Sequence, residues 1–404
     1  MSNDAQQIVI VGSSFAGMTA ALEIRRKLDE RHRIVVLDPH ADFTFIPSLI
    51  WLPFGLREPE DVTFPLGPIY QRKGIDFRAT AATGFDLDQR IVHTADGEDV
   101  HYDKLLLATG PRLAFDKIPG LGPHGGHTQS VCTLDHALLA RDAWTRFLEN
   151  PGPVVVGTAQ GGSCFGASYE FLFNVKHRID KAGLAAAAPV TFVTAEPFLG
   201  HFGFGGVADS AKRVERFFER LGIEGIPSNA IAEVRDGEMQ LEGGRVLPFA
   251  YSMIVPPFTG VDAIRATPGL GNPMGFVPID DEFRHPQHRD VFAAGVDIAI
   301  APPAQTPVPA GVPKTGQMSE AMARVAAHNI AADVNGTATQ QMPLSEIAAV
   351  CVLDAGNNGI IFKADHVLGD SRHPHVMAGP QAHWAKVAFE RYFLATRRRG
   401  MASL

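Results

Sequence analysis

Three cysteines, Cys132, Cys164 and Cys351, are the side chains best suited to redox chemistry in this chain of 404 residues. They are too widely spaced to form a scaffold of several disulfides, and no Cys-x-x-Cys pair occurs, so a zinc or iron–sulfur centre is a poor reading. Cys164 stands in "GTAQGGSCFGASYEF", Gly157 to Phe171, a glycine-rich loop between an apolar run and a helix. A thiol at the first turn of a helix faces the positive end of the helix dipole, which is expected to lower its pKa. Cys132, in "QSVCTLDHA", lies near another helix start, with Asp135 and His136 in the next turn. Cys351 follows a short apolar strand, and spacing alone does not say which cysteines meet. Two apposed sulfurs would allow thiolate exchange with a substrate sulfur.

The elements that must position these groups read as an α/β fold with two Rossmann-like units. "IVIVGSSFAGMTAALEIRRKL" is a buried strand, a tight loop and an amphipathic helix, and "HRIVVLD" is the next strand, ending at Asp38. In Gly12-Ser13-Ser14-Phe15-Ala16-Gly17 the first glycine permits the turn, and the last lets helix and strand approach closely. Ser14 replaces the middle glycine, and its hydroxyl could donate to phosphate. Asp38, followed by Pro39, is placed to accept from adenosine ribose hydroxyls. Two further strands run into small-residue turns at Ala108-Thr109-Gly110 and at Gly295 to Asp297, and the three elements together favour FAD over a lone NAD site. A second strand–loop–helix–strand unit spans 154–195. Its loop breaks the G-x-G-x-x-G pattern at the middle position, Cys164 competes for pyrophosphate space, and Glu196 is the one residue placed to hold a ribose.

A net charge of -8 leaves no basic stripe for nucleic acid, and 45% apolar with 20% charged residues is an ordinary globular balance. The start "MSNDAQQ" leads straight into the first strand with no room for a cleaved leader, so the cytoplasmic face is the default location. No run of 18 apolar residues occurs, so any membrane contact is expected to be peripheral. The last helix carries an apolar stripe, Trp384, Val387, Ala388, Phe389, Tyr392, Phe393 and Leu394, interrupted by Lys386, Glu390 and Arg391. With the basic run Arg397 to Arg399 behind it, that helix could lie on an anionic membrane surface, or dock on the core with a solvated basic end.

On the motifs "CTLDHA", "VVGTAQGGSCFGASYEF", "GHFGFGG", "AAGVDIAIAPP", "VPKTGQMSEAMA" and "HWAKVAFERYFL", the sequence resembles the sulfide:quinone oxidoreductase family of disulfide reductase-like flavoproteins. The resemblance implies an FAD-binding domain at 1–118 and 285–340, a second Rossmann-like domain without an NAD site at 119–284, and a C-terminal quinone- or membrane-facing region at 341–404. It implies that Cys164 and Cys351 flank the sulfide side of the flavin, bridged by sulfur, with Cys351 attacking the flavin. Cys132 would assist polysulfide handling or tether FAD. His136, His201 and Glu170 match the family's proton-handling residues, and Lys314, Thr315 and Gly316 its helix start under the flavin pyrimidine. The implied activity is oxidation of sulfide to polysulfide or sulfur, with electrons passed to a quinone. Phe362, Phe389, Tyr392 and Phe393 are candidates for the quinone slot, rimmed by the loop Pro302 to Pro309. A cytochrome-linked sulfide dehydrogenase, an NADH:quinone oxidoreductase and a flavin-dependent sulfide sensor are the rival readings; a homo-oligomer is left open.

Overall fold

A computed structural model describes residues 5–366, 368 and 375–402; residues 1–4, the start of the segment read as leaving no room for a leader, lie outside it. The chain opens with β1 (Gln7–Val11), α1 (Phe15–Lys27), β2 (Arg33–Leu37), β3 (Asp76–Arg78) and β4 (Lys104–Leu107). Then come α2 (Leu134–Glu149), β5 (Val154–Thr158), α3 (Phe165–Lys181), β6 (Val190–Thr194), α4 (Ser210–Leu221), β7 (Ile223–Ile226) and β8 (Tyr251–Val255). The remaining elements named here are β9 (Val291–Ala293), α5 (Gly316–Asn335), β10 (Ala349–Asp354), β11 (Gly359–Ala364), β12 (His375–Ala378) and α6 (Pro380–Arg398).

Two parallel sheets form the body, in the orders β9-β4-β1-β2-β3 and β7-β6-β5-β8. Their strands are short apolar runs because both faces are covered: every residue of β5 and β8 is buried. Residues 291–293 return to the first sheet after the chain has built the second, pairing Val291 with Leu105. Parallel pairing brings the carboxyl ends of β1, β2, β4 and β9 to one edge. Gly12, Asp38, Ala108 and Ala294 each follow directly there, which is where open α/β sheets bind ligands. Helix α5 packs along α1 and covers this sheet.

The antiparallel strands β10, β11 and β12 form a third sheet against α3 and α6. Gly379, at φ 142°, turns the chain into α6, and Pro380 occupies its first turn. The buried residues of α6 include Ala382, Lys386, Glu390, Phe393 and Arg397, a face repeating every three to four residues. Three ionisable side chains therefore point inward while Trp384, Phe389 and Tyr392 face solvent. This corrects the sequence reading of α6, in which Lys386, Glu390 and Arg391 interrupt one apolar stripe: Lys386 and Glu390 are buried, while Arg391 is exposed with Trp384, Phe389 and Tyr392. The basic end is corrected with it, because Arg397 is buried and bonds to Glu320 and Thr19. No described helix is long and apolar enough to cross a membrane.

Candidate active site

The first glycine loop is shaped by backbone approach. Gly12 has φ 100°, and a Cβ there would stand 2.1 Å from the Ala108 carbonyl oxygen; one on Gly17 would stand 1.9 Å from that of Gly12. Only glycine permits this crossing of loop, strand end and helix start. Ser14 is the exposed residue preceding α1, and Ala16 is buried in that helix. Asp38 accepts from the Ser13 N–H at 2.6 Å, so the carboxylate expected at the ribose also anchors the loop; Pro39 beside it is exposed. Phe15 differs from a ligand contact: its buried ring packs on Phe43 and Phe393, at 5.4 and 5.2 Å between centroids.

Across the same edge, Thr109 donates to Asp297 from its N–H at 2.9 Å and its hydroxyl at 3.1 Å. Asp297 is fully buried, its Oδ1 has no hydrogen-bond partner among the described residues, and burial pushes its pKa up to about 7. An unpartnered buried carboxylate oxygen beside Gly110 and Gly295 is what a ligand hydroxyl would satisfy. Lys314 donates to the carbonyls of Val296 and Ile298, at 2.9 and 2.7 Å, and so holds that turn. Its ammonium is pushed down to about 8 by burial. Thr315 caps α5 by accepting from the Met318 N–H, and Gly316 follows against the Phe15 ring. Gly12, Gly17, Asp38, Thr109, Asp297 and the start of α5 thus fit an FAD.

The second glycine loop is closed by the protein's own chain. The Gly161 N–H donates to the Pro309 carbonyl at 2.7 Å, and the Gly311 N–H to that of Gly162 at 2.9 Å. The proline-rich loop expected to rim a quinone slot instead seals this loop. Glu196 is fully buried and accepts from the Phe202 N–H at 2.6 Å, the Tyr169 hydroxyl at 2.9 Å and the Thr194 hydroxyl at 2.9 Å. The carboxylate placed by sequence to hold a ribose is turned inward, where it pins the segment carrying His201.

Cys164 is the residue preceding α3, as its sequence context suggests. Cys351 lies beside it: a Cβ on Gly166 would meet the Cys351 Sγ at 3.4 Å. Cys351 is thus brought to the start of the helix that follows Cys164, Cys132 lies just before α2, and all three thiols are free. Cys164 is an exposed residue, yet desolvation by the surrounding protein raises its thiol pKa against the opposing Ala167 N–H. The expected lowering by the helix dipole is therefore corrected: burial is the larger influence. Cys132 and Cys351 are likewise pushed up to about 12 by burial.

His201 and His136 are both buried, and desolvation lowers the pKa of each. His201 Nδ1 accepts from the Gly203 N–H at 3.1 Å, leaving Nε2 as its proton-bearing nitrogen. His136 sits in the first turn of α2, packed on the ring of His124, with Asp135 beside both. Glu170 lies in α3, buried, accepting from the Asp354 N–H at 2.7 Å and from the Lys386 ammonium. Burial lifts its pKa to about 7 despite the lysine.

The quinone candidates do not form one slot. Phe393 is fully buried among Phe15, Phe43 and Phe45. Phe362 is paired with Cys351 across β10 and β11 and stacks on Phe202, which puts it on the sulfur side. Phe389 and Tyr392 are on the exposed face of α6. Sequence reasoning missed Asp354, His383 and Trp51: Asp354 is fully buried, accepts from Trp51 Nε1 at 2.8 Å, and pairs with His383 Nδ1 at 2.7 Å. The spacing of Ala382, Lys386, Glu390 and Arg397 was the available signal, since it marks one helical face.

The family of pyridine nucleotide-disulphide oxidoreductases matches residues 6–324. The chain is 34% identical over 402 residues to the sulfide-quinone reductase of Aquifex aeolicus (strain VF5), covering 98% of this chain and 92% of that protein. The X-ray structure of the sulfide:quinone oxidoreductase from Aquifex aeolicus superposes with a TM-score of 0.93 at 33% identity, over 99% of this chain and 93% of that one. An NADH dehydrogenase-like protein of Mycobacterium tuberculosis is 28% identical over 307 residues, 73% of each chain. The nucleotide cradle and these matches make the protein an FAD-dependent oxidoreductase. The 34% identity to the Aquifex protein over 98% of this chain, with the matching structure, shows that the chain belongs to the sulfide:quinone oxidoreductase family.

Proposed function

We propose that the protein oxidises sulfide to polysulfide or elemental sulfur and passes the electrons to a quinone. The observation that carries this reading is Cys351 lying against the first turn of the helix that Cys164 begins. Hydrosulfide attacks the Cys164 sulfur of a Cys164–Cys351 bridge, forming a persulfide there and releasing Cys351 as the thiolate. FAD, when bound, supplies the two-electron acceptor between the two half-reactions. Glu170 and His201 are proposed to exchange protons with the sulfur species, and Cys132 and His136 to handle its far end. The domain division 1–118 with 285–340, 119–284 and 341–404 is proposed with it, supported by the return of β9 to the first sheet.

The test is anaerobic addition of sulfide to the FAD-loaded protein while the flavin band is followed. Bleaching by sulfide, reversed by decylubiquinone, is expected. NADH is expected to leave the band unchanged, because Pro309 and Gly311 occupy the second loop. Bleaching by NADH but not by sulfide would overturn the reading.

Peripheral membrane association is proposed through the outer face of α6, where Trp384, Tyr392 and Phe389 are 66%, 52% and 39% exposed. Arg397 of the basic run is buried and only Arg398 and Arg399 stay exposed, so the aromatics are proposed to supply most of the attachment. Replacing these three by serine is expected to weaken binding to neutral phosphatidylcholine vesicles by at least about tenfold in flotation. Arg399→Gln is expected to change it by less than about threefold.

A further inference from the structure

Between β4 and α2, residues 120–128 close into a tight turn. The His127 N–H donates to the Gly120 carbonyl at 2.9 Å, the Gly122 N–H donates to the Thr128 hydroxyl at 2.9 Å, and Gly122 and Gly125 take left-handed φ angles of 102° and 77°. His124, inside that turn, meets the first turn of α2. Its Nε2 stands 3.2 Å from Asp135 Oδ2, and its ring packs on that of His136 at 5.1 Å between centroids. Asp135 is oriented from behind: its other oxygen, Oδ1, accepts from the hydroxyl of Thr133, the capping residue of α2, at 2.5 Å.

His136 is the member that hydrogen bonding does not account for. It is 7% exposed, its Nδ1 has no partner among the described residues, and its Nε2 stops 3.8 Å from Asp135 Oδ2, beyond hydrogen-bond reach. The rings of Phe115 and His124, at 5.5 and 5.1 Å, fix its plane. A buried imidazole left without a partner is costly, so something that binds its nitrogen stabilises this corner. One ligand atom each from His124, Asp135 and His136 lies within 4.8 Å of the other two. Tetrahedral ligands about 2.0–2.2 Å from a zinc ion stand about 3.3–3.6 Å from one another. The separations of 3.2 and 3.8 Å to Asp135 Oδ2 bracket that range.

We propose that His124, Asp135 and His136 bind one divalent transition-metal ion of the zinc class, which pins residues 120–128 to the start of α2. Two imidazoles and one carboxylate suit zinc and its first-row neighbours and do not suit magnesium. Three protein ligands leave a fourth position for water, and the exposed His124 and Asp135 give the ion a path from solvent. The positive end of α2 works against a cation, by roughly two- to fivefold in affinity, which is small beside three coordinate bonds. The proposal does not depend on sulfide being the substrate.

Two measurements on the FAD-loaded protein test this. Free thiols also take zinc, so calorimetric titration with Zn2+ is made on the chain carrying Cys132→Ser, Cys164→Ser and Cys351→Ser together. One ion per chain is expected, with a Kd tighter than about 10 µM, and Mg2+ is expected to give no binding. Adding His124→Ala or Asp135→Asn is expected to weaken Zn2+ at least about tenfold; both side chains are exposed, so the fold is kept. The second measurement uses the wild-type cysteines and serves if the serine chain does not fold. Amide hydrogen exchange in residues 120–128 is expected to slow at least about fivefold on adding Zn2+, and to stay unchanged by Zn2+ in His124→Ala. Zinc affinity that survives His124→Ala and Asp135→Asn, no binding at about 100 µM Zn2+, or exchange in 120–128 indifferent to zinc overturns the proposal.

Discussion

Cys351→Ser is expected to reduce the rate of flavin bleaching by sulfide by at least about a thousandfold while leaving FAD content unchanged. Serine is nearly isosteric with cysteine, so the pairing of residue 351 with Phe362 in β10–β11 and its contact beside Gly166 survive. What is lost is chemistry: a hydroxyl forms no bridge to sulfur and does not leave as a stabilised anion when hydrosulfide attacks. FAD retention follows from placement, because the cradle of Gly12, Gly17, Asp38 and Asp297 lies at the edge of the first sheet, and the bond from the Val350 N–H of β10 to Gln317 at the start of α5 is untouched by the change at 351. Cys164→Ser is expected to do the same. Cys132→Ser is expected to be milder, since it is Cys351, not Cys132, that lies against the first turn of the helix following Cys164. Stopped-flow absorbance under argon measures all three. A Cys351→Ser protein that bleaches within tenfold of the wild-type rate would sink the assignment of Cys351 to the sulfur bridge.

The parts of this site that were legible are those written in local sequence. Gly12 and Gly17 stand where the backbone crossing demands them, and Asp38 follows its strand directly. Cys164 at a helix start is equally local. The sign of its pKa shift was not, because desolvation depends on what other segments pack over the thiol. The second glycine loop shows the same limit. Its broken pattern suggested that no nucleotide binds, but the residues that close it, Pro309 and Gly311, come from about 150 residues further on. On α6 the sequence reading counted Lys386, Glu390 and Arg391 as interruptions of an apolar stripe and left open whether that stripe met a membrane or the core. An inner face of Lys386, Glu390 and Arg397 is stable only because Glu170, Arg57 and Glu320 wait for them on three distant elements. The spacing of these residues marks one helical face, but the partners that make it the inner face are remote in sequence and leave no local signal.

That dependence gives the largest expected stability effect in the chain, from Arg397→Met. Arg397 is 1% exposed; one guanidinium nitrogen reaches Glu320 and the Thr19 hydroxyl, the latter at 3.0 Å, and the other the Met401 carbonyl at 2.8 Å. Thr19 belongs to α1 and Glu320 to α5, so this one side chain fastens the end of α6 to both helices of the FAD cradle. Methionine keeps much of the volume but leaves the Glu320 carboxylate buried without its cation, which costs about 3–5 kcal/mol. The effect should come from the orphaned charge rather than from lost packing. Adding Glu320→Gln to Arg397→Met is therefore expected to recover more than half of the loss in urea unfolding. A single variant within about 1 kcal/mol of wild type would show that the pair adds little beyond what water could replace. If the loss is as large as expected, α6 should also become cleavable by trypsin near Arg391 and Arg398 before the sheets unfold. Membrane attachment and cradle integrity would then be lost together, because the helix that presents Trp384 and Tyr392 outward is held from within by Arg397.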